Sequence, residues 1–149
     1  MAKKKFVFII THSFDRPDLV AGAFQLATNM KAFDAELDFF LIDNGVLLAK
    51  EGFAETLQWQ KKDEFSPVHA LMKTLIEDFD TKFYICVSCD KHYEPDKTKL
   101  ITNSEIKPGS YLGERLMERD WVKAYCCLRN FAGAYHGYEF ESLTIRFAN

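Results

Sequence analysis

Short, continuously apolar runs alternate with longer segments of helical periodicity, and this alternation restricts the fold more than any other feature of the chain. Residues 6–11, 37–42 and 82–87 are such runs, and unbroken apolarity is typical of strands that are covered on both faces. Further strands are predicted over residues 122–128 and, as a short element, over residues 100–102. The tail over residues 138–147 alternates imperfectly, which indicates an edge strand or a subunit contact.

The segments between these runs predict helices. The first is expected to begin near Arg16 or Pro17, with Asp15 as its N-cap. Others are expected over residues 66–78 and 111–119. Strands that alternate with helices form βαβ units, so we predict an α/β fold with three layers and a mostly parallel five-stranded sheet. The 149 residues suit one domain, with a C-terminal extension from about residue 131.

Composition and charge exclude several classes of partner. The net charge is −3 and no basic cluster is present, which argues against nucleic acid. The apolar runs are too short for a signal peptide or a membrane span, so we expect no membrane partner and a cytoplasmic location. The four cysteines are then expected to be catalytic, redox-active or metal-binding. Fourteen phenylalanines are many for this length and predict a homo-oligomer with buried aromatic contacts.

The carboxyl ends of parallel strands are where such sheets bind ligands. Three segments collect at that edge, over residues 11–14, 43–46 and 86–90, and the first two supply the candidate binding residues His12, Ser13, Asp43, Asn44 and Gly45. His12 could serve as a base or hydrogen-bond donor, or be a turn histidine satisfied by the backbone. Asp43 could equally be only a turn-forming residue.

Cys86 and Cys89 form a C-x-x-C motif at the end of the third predicted strand, and they are the candidate catalytic residues. Backbone N–H groups in the turn that follows, and a helix N-terminus, would lower a thiol pKa from about 8.5. A thiolate so formed can attack a disulfide or accept sulfur as a persulfide. The alternative for Cys86 is an ordinary core residue, because free cysteine packs like a small hydrophobe.

The other motifs point to no metal and no cofactor. A zinc site would combine the two cysteines with His92 and a fourth ligand from His12, Cys126 or Cys127, but a single half-site is weak evidence. Cys126 and Cys127 are adjacent in a predicted strand and face opposite sides, so at least one is expected in the core. The chain contains no dinucleotide-binding fingerprint, P-loop or nucleophile elbow.

Residues 6–27, 37–46 and 84–89 together resemble the DsrE/DsrF-like family, which includes sulfur-relay subunits related to TusD and the YchN-like proteins. The matching features are the opening strand with its polar turn and helix, the second strand with its Asp-Asn-Gly-Val turn, and the strand that ends in a cysteine-bearing loop. The resemblance covers about the first 95 residues and, more loosely, residues 122–128.

The resemblance implies a five-stranded parallel sheet in three layers and homo- or hetero-oligomers, often trimers or hexamers. It also implies sulfur carried as a cysteine persulfide, with Cys86 at the carrier position and Cys89 at a position where many members have cysteine. Residues 50–65 and 90–93 depart from the family pattern. We therefore expect a sulfur carrier or sulfurtransferase-like protein with donor and acceptor proteins as partners. The alternative is a non-enzymatic oligomeric module that binds a small ligand or metal at the same crevice.

Overall fold

Six strands and four α-helices lie in the part of the chain that the computed structural model describes, which comprises residues 3–58, 66–93 and 99–118 and the backbone of residues 121–125 and 143–146. The strands are β1 (Lys5–Ile10), β2 (Glu36–Leu41), β3 (Lys82–Cys86), β4 (Ser104–Lys107), β5 (Trp121–Tyr125) and β6 (Leu143–Arg146). The helices are α1 (Pro17–Ala32), α2 (Val68–Glu77), α3 (Val87–Tyr93) and α4 (Gly109–Glu118), and two 3-10 helices cover Asp43–Ala49 and Ala54–Thr56.

The strands form one sheet in the order β4-β3-β2-β1-β5-β6. Strands β1 to β5 pair in parallel, and β6 adds to β5 in the antiparallel sense. The predicted mostly parallel α/β fold is thereby confirmed. The sheet has one strand more than the five expected, because part of the alternating tail pairs with β5 as an edge strand.

Apolar side chains cover both faces of the sheet. The main core lies on the face that carries α1 and α2, and it includes Phe8, Phe39 and Leu75. A smaller core on the other face is built on Val7, Phe40 and Tyr84, against which Tyr111, Leu112 and Leu116 of α4 pack. Successive residues of β1 and β2 enter opposite cores, as the two-residue period of a strand requires. This arrangement gives the three layers expected from the sequence.

Stacked phenylalanines connect the three central strands within the main core. The Phe39 ring on β2 stacks on Phe8 of β1, with 5.1 Å between ring centroids, and on Phe83 of β3, with 4.8 Å. Phe24 of α1 meets Phe39 edge-on at 5.2 Å and Phe83 at 6.0 Å. Stacked and edge-on pairs at such separations add favourable energy to the burial of the rings. These contacts hold α1 against the sheet.

The fourth strand lies later in the chain than the sequence indicates. Residues 100–102 were expected to form it, but Leu100 makes an isolated antiparallel bridge with Lys50. The Ile101 N–H donates to the Ala49 carbonyl at 2.9 Å, so this apolar segment pairs with the 3-10 helix end and packs on the main core. Asn103 then takes a left-handed conformation, φ 58°, before β4 begins at Ser104.

Replacing Phe39 with alanine should destabilise the fold strongly. The ring is fully buried and contacts phenylalanines of two neighbouring strands, so we expect the free energy of unfolding to fall by about 3–5 kcal/mol. The matched control is Phe33→Ala, because Phe33 is 89% exposed and its loss should change stability by no more than about 0.5 kcal/mol. Urea denaturation measures both, and equal effects would contradict the assignment of Phe39 to the core.

Candidate thiol site at the sheet edge

The structure places both cysteines of the C-x-x-C motif at the carboxyl edge of the sheet. Cys86 is the last residue of β3, and α3 begins at the next residue, Val87. Cys89 therefore lies in the first turn of a helix, whereas the sequence predicted a strand through Val87 with Cys89 at its exposed end. Both cysteines are free thiols and both are half-buried.

Burial, Asp43 and Cys86 together determine the pKa of the Cys89 thiol. Burial is the largest influence and raises its pKa, because the charged thiolate is disfavoured away from water. The backbone N–H of Asp43 lowers the Cys89 pKa, whereas the neighbouring Cys86 thiol and the charge of the Asp43 carboxylate raise it further. The net pKa is raised, so the lowered value expected from the sequence was wrong. The immediate turn into α3 explains this result, since it packs Cys89 against the main core.

The predicted binding residues after β2 begin the first 3-10 helix. Asp43 adopts a left-handed conformation with φ 49°, which supports its role as a turn-forming residue. Gly45 packs directly against the end of β1: a Cβ atom at this position would overlap the Ile10 carbonyl oxygen and lie 2.9 Å from the carbonyl carbon. Only glycine permits that approach. The Ile42 N–H donates to the same Ile10 oxygen at 3.0 Å.

Ser13 connects the turn after β1 to the turn after β2. Its hydroxyl group lies 2.9 Å from the Asn44 carbonyl oxygen and 3.1 Å from Asn44 Oδ1, and donates to these acceptors. Ser13 is fully buried, so the contact is shielded from water. Because Asp43 in turn contacts Cys89, the three polar segments form one continuous chain of contacts from β1 to the thiols. From the sequence, only the expected sheet topology predicted that these segments would meet.

His12, the remaining predicted residue, is held by Asp15. The His12 Nδ1 atom lies 2.5 Å from Asp15 Oδ2, and the Ser13 N–H donates to Asp15 Oδ1 at 3.1 Å. Burial opposes ionisation of Asp15, but the bonds from His12 and Ser13 outweigh it and lower the pKa of the carboxyl group. An ionised Asp15 only accepts hydrogen bonds, so His12 Nδ1 is the donor. Asp15 was predicted to cap α1, but no side-chain cap is present there.

Lys50 and Asp90 are site neighbours that the sequence did not single out. Lys50 is only 5% exposed, and its Nζ atom lies 4.0 Å from Oδ1 of Asp90, the residue after Cys89. Burial lowers the Lys50 pKa, and the Asp90 charge partly offsets this. A lysine beside Glu51 is typical of an exposed surface. Its burial depends on the bridge to Leu100, which no local pattern reveals.

In the part of the chain that the structure describes, no metal cluster marks the thiols. Among these residues, no group of three or more histidine, cysteine or acidic side chains is arranged to hold a metal ion. His92 is exposed, and Cys126 and Cys127 lie outside the described residues. Two clefts of about 360 and 430 Å³ are lined by other residues, such as His69 in the first and Phe33 in the second. We assign the candidate site from the placement of the two thiols at the carboxyl edge of the sheet, beside the polar segments that follow β1 and β2.

The structure describes a mostly parallel α/β sheet flanked by helices, with one cysteine at the end of β3 and a second in the first turn of α3. A sequence profile of the DsrE/DsrF-like family matches residues 4–120, and the chain belongs to this family. The match covers the elements from β1 to α4, and therefore includes both cysteines and all five predicted binding residues. Membership supports a role in sulfur transfer.

The crystal structure of the YchN protein from E. coli is similar, with a TM-score of 0.61 and 18% sequence identity. The alignment covers 84% of this chain and 100% of that one, and at this identity it establishes the fold alone. No curated protein sequence matched significantly. Within the residues described, no helix is both long and apolar enough to span a bilayer.

Gly45→Ala should disrupt the edge of the sheet. The added methyl group would lie within 3 Å of the backbone of Ile10, which cannot move without disturbing β1. We expect a loss of about 2–4 kcal/mol in the free energy of unfolding. Gly22→Ala is the matched control, because no atom lies within 4 Å of the methyl group that it would add, and the change should stabilise α1 by about 0.5–1 kcal/mol. Thermal unfolding compares them, and a neutral Gly45→Ala would refute the close approach.

Cys89 should react slowly with iodoacetamide near neutral pH. Its raised pKa leaves little of the reactive thiolate, and its packing on the main core restricts access. We expect its labelling rate to be at least about tenfold lower in the native protein than in the urea-unfolded chain, and to increase steeply with pH. Peptide mass spectrometry after timed labelling gives both rates. Native Cys89 that reacts as fast as unfolded Cys89 would contradict the buried environment.

Proposed function

We propose that this protein carries sulfur as a persulfide on Cys86, with Cys89 as a neighbouring resolving thiol. The observation that carries the proposal is the placement of two free, half-buried cysteines where β3 ends and α3 begins, at the carboxyl edge of the sheet. The Cys86 thiol is near enough to influence the ionisation of Cys89, so we infer that a sulfur-sulfur bond can pass between the two residues. Family membership supports the same chemistry.

Loading is a thiol exchange in which no outside oxidant takes part. The Cys86 thiolate attacks the terminal sulfur of a donor persulfide, the donor's sulfur-sulfur bond breaks, and the donor cysteine leaves as a thiolate. A new sulfur-sulfur bond on Cys86 replaces the broken one. Transfer to the acceptor repeats this exchange, with an acceptor thiolate as the attacking group.

Cys89 provides a second reaction for the persulfide on Cys86. Its thiolate can attack Cys86 Sγ, forming a Cys86–Cys89 disulfide and releasing the outer sulfur as hydrosulfide. Because burial raises the Cys89 pKa, this thiolate is scarce at neutral pH and the side reaction is slow. A carrier benefits from that bias, since the sulfur is retained until an acceptor arrives. The assignment of the carrier to Cys86 also agrees with the resemblance of this position to the family's carrier cysteine.

The partners in this proposal are donor and acceptor proteins in the cytoplasm, and the chain itself forms a homo-oligomer. Exposed apolar side chains support self-association: Met117 is 82% exposed and Phe14 is 60% exposed. Apolar surface of this kind is common at protein interfaces. The family resemblance favours a trimer or hexamer.

The test is sulfur loading followed by mass spectrometry of the intact protein and its peptides. After incubation with a cysteine desulfurase and cysteine, we expect mass increments of one sulfur atom on the peptide that contains Cys86. Cys86→Ser should abolish loading, because it removes the attacking thiolate. Cys89→Ser should retain the loaded sulfur and release less hydrosulfide.

Cys126→Ser and Cys127→Ser serve as controls and should load as the wild type does. If Cys89→Ser abolishes loading and Cys86→Ser does not, the two roles are reversed. Normal loading of the double variant Cys86→Ser/Cys89→Ser would overturn the carrier proposal. The ligand-binding module would then be the better hypothesis, and stoichiometric metal in the purified protein would support it.

A further inference from the structure

Lys107 is the neighbour of Cys86 on the adjacent strand. Strands β3 and β4 are parallel, and their register pairs Cys86 with Lys107 at the last position of both strands. Neighbouring strands lie about 4.8 Å apart, and residues paired in register project to the same face of a sheet. The sheet therefore presents a lysine beside the candidate carrier thiol.

Packing around Tyr111 of α4 agrees with this shared face, although Cys86 also contacts the main core. Cys86 and Tyr111 both pack against the smaller core built on Val7, Phe40 and Tyr84. The Lys107 ammonium group lies 4.9 Å from the centroid of the Tyr111 ring. Arg115 also contacts this ring, with its guanidinium carbon 4.7 Å from the centroid. The Tyr111 ring therefore contacts two cations and packs against the same small core as Cys86.

Lys107 is protonated, and therefore positively charged, near neutral pH. Its Nζ atom lies 2.8 Å from Glu105 Oε1, two residues earlier on β4, and this bond raises the lysine pKa. The Lys107 side chain is 27% exposed while that of Glu105 is 59% exposed, so the carboxylate lies on the solvent side of the pair. Water screens an exposed carboxylate well, so the Glu105 carboxylate cancels the electric field of Lys107 only in part.

We propose that Lys107 is an electrostatic positioning residue that stabilises the anionic forms of Cys86, the thiolate before sulfur transfer and the persulfide anion after it. This inference deepens the proposed function and depends on it for its biological meaning. A cation beside the sulfur favours the charged form in both states. In the transfer step, Lys107 neither gives nor takes a proton or an electron.

Several other charged or titratable groups face this region from the elements around Cys86. They are Tyr84 on β3, Glu105 on β4, Asp38 on β2, Tyr111 and Arg115 on α4, Cys89 and Asp90 on α3, Asp43 on the first 3-10 helix and Lys50 directly after that helix. Arg115 is occupied by Glu118 and Tyr111, and its Nε atom lies 3.9 Å from Asp38 Oδ2. Lys107 is the cation whose strand register aligns it with Cys86.

The experiment measures the pH dependence of Cys86 alkylation by iodoacetamide in the full-length chain, resolved by peptide mass spectrometry. Lys107→Gln removes the charge and keeps most of the side-chain stem, so the Cys86 rate near neutral pH should fall roughly two- to fivefold. Lys107→Arg should restore most of the rate. Glu105→Gln should increase the rate, because the lysine charge is then uncompensated.

Lys82→Gln is the matched control. Lys82 is an exposed lysine at the opposite end of β3, four residues from Cys86 or about 13 Å along the strand, which is beyond the screening length of ordinary buffers. Its loss should leave the Cys86 profile unchanged. A purely structural role for Lys107 would not give opposite effects for Lys107→Gln and Glu105→Gln, and thermal unfolding of each variant identifies any loss of fold.

The outcomes for this inference and for the carrier proposal are separable, since alkylation requires no sulfur donor. An unchanged Cys86 profile in folded Lys107→Gln overturns the role of Lys107, even if the wild type loads sulfur normally. A shifted profile in a protein that never loads sulfur supports the electrostatic role and overturns the carrier function instead. Equal slowing by Lys107→Gln and Lys82→Gln would also overturn the inference, because it would indicate a general charge effect.

Discussion

The stacked phenylalanines of β1, β2 and β3 are the contact on which the rest of the structure depends, because they fix three neighbouring strands and α1 relative to one another. Phe39 lies between Phe8 and Phe83, while Phe24 closes the cluster from the helix. All four rings are fully buried. Since successive strand residues face opposite sides, this fixed stack also determines which residues face α4, including Tyr84 on the same strand as Cys86.

Contacts at the carboxyl edge of the sheet fix the backbone around the candidate site in a similar way. Gly45 contacts the Ile10 carbonyl group at the end of β1, and Ser13 donates to Asn44. These contacts leave little freedom for Asp43, whose backbone N–H acts on the Cys89 thiol. The polar residues after β1 and β2 therefore support the cysteines at the end of β3 and in the first turn of α3. Their contribution is to the position of the backbone around the thiols.

The sequence was sufficient for the elements with strong local patterns. Apolar runs identified β1, β2 and β3, and helical periodicity identified α1 and α2, because burial of those faces dominates their formation. It failed where non-local pairing decides the outcome. Leu100 looks like part of a strand but pairs with Lys50, and β4 has the polar sequence Ser-Glu-Ile-Lys with little apolar signal. For the site, the expected topology predicted which loops would meet at the carboxyl edge. It could not predict that α3 begins directly after Cys86.

That missing detail changes the chemistry of the motif. A strand that continued to Val87 would leave both thiols at an open edge with similar surroundings. The turn into α3 instead packs Cys89 on the main core, where burial raises its pKa. Cys86 packs against both cores and is paired in register with Lys107. The two cysteines therefore have different surroundings although only three residues separate them: burial disfavours the Cys89 thiolate, while Cys86 has a cation as its partner on the neighbouring strand. In the proposed sulfur carrier, a scarce resolving thiolate would release the sulfur slowly, so that an acceptor could take it first.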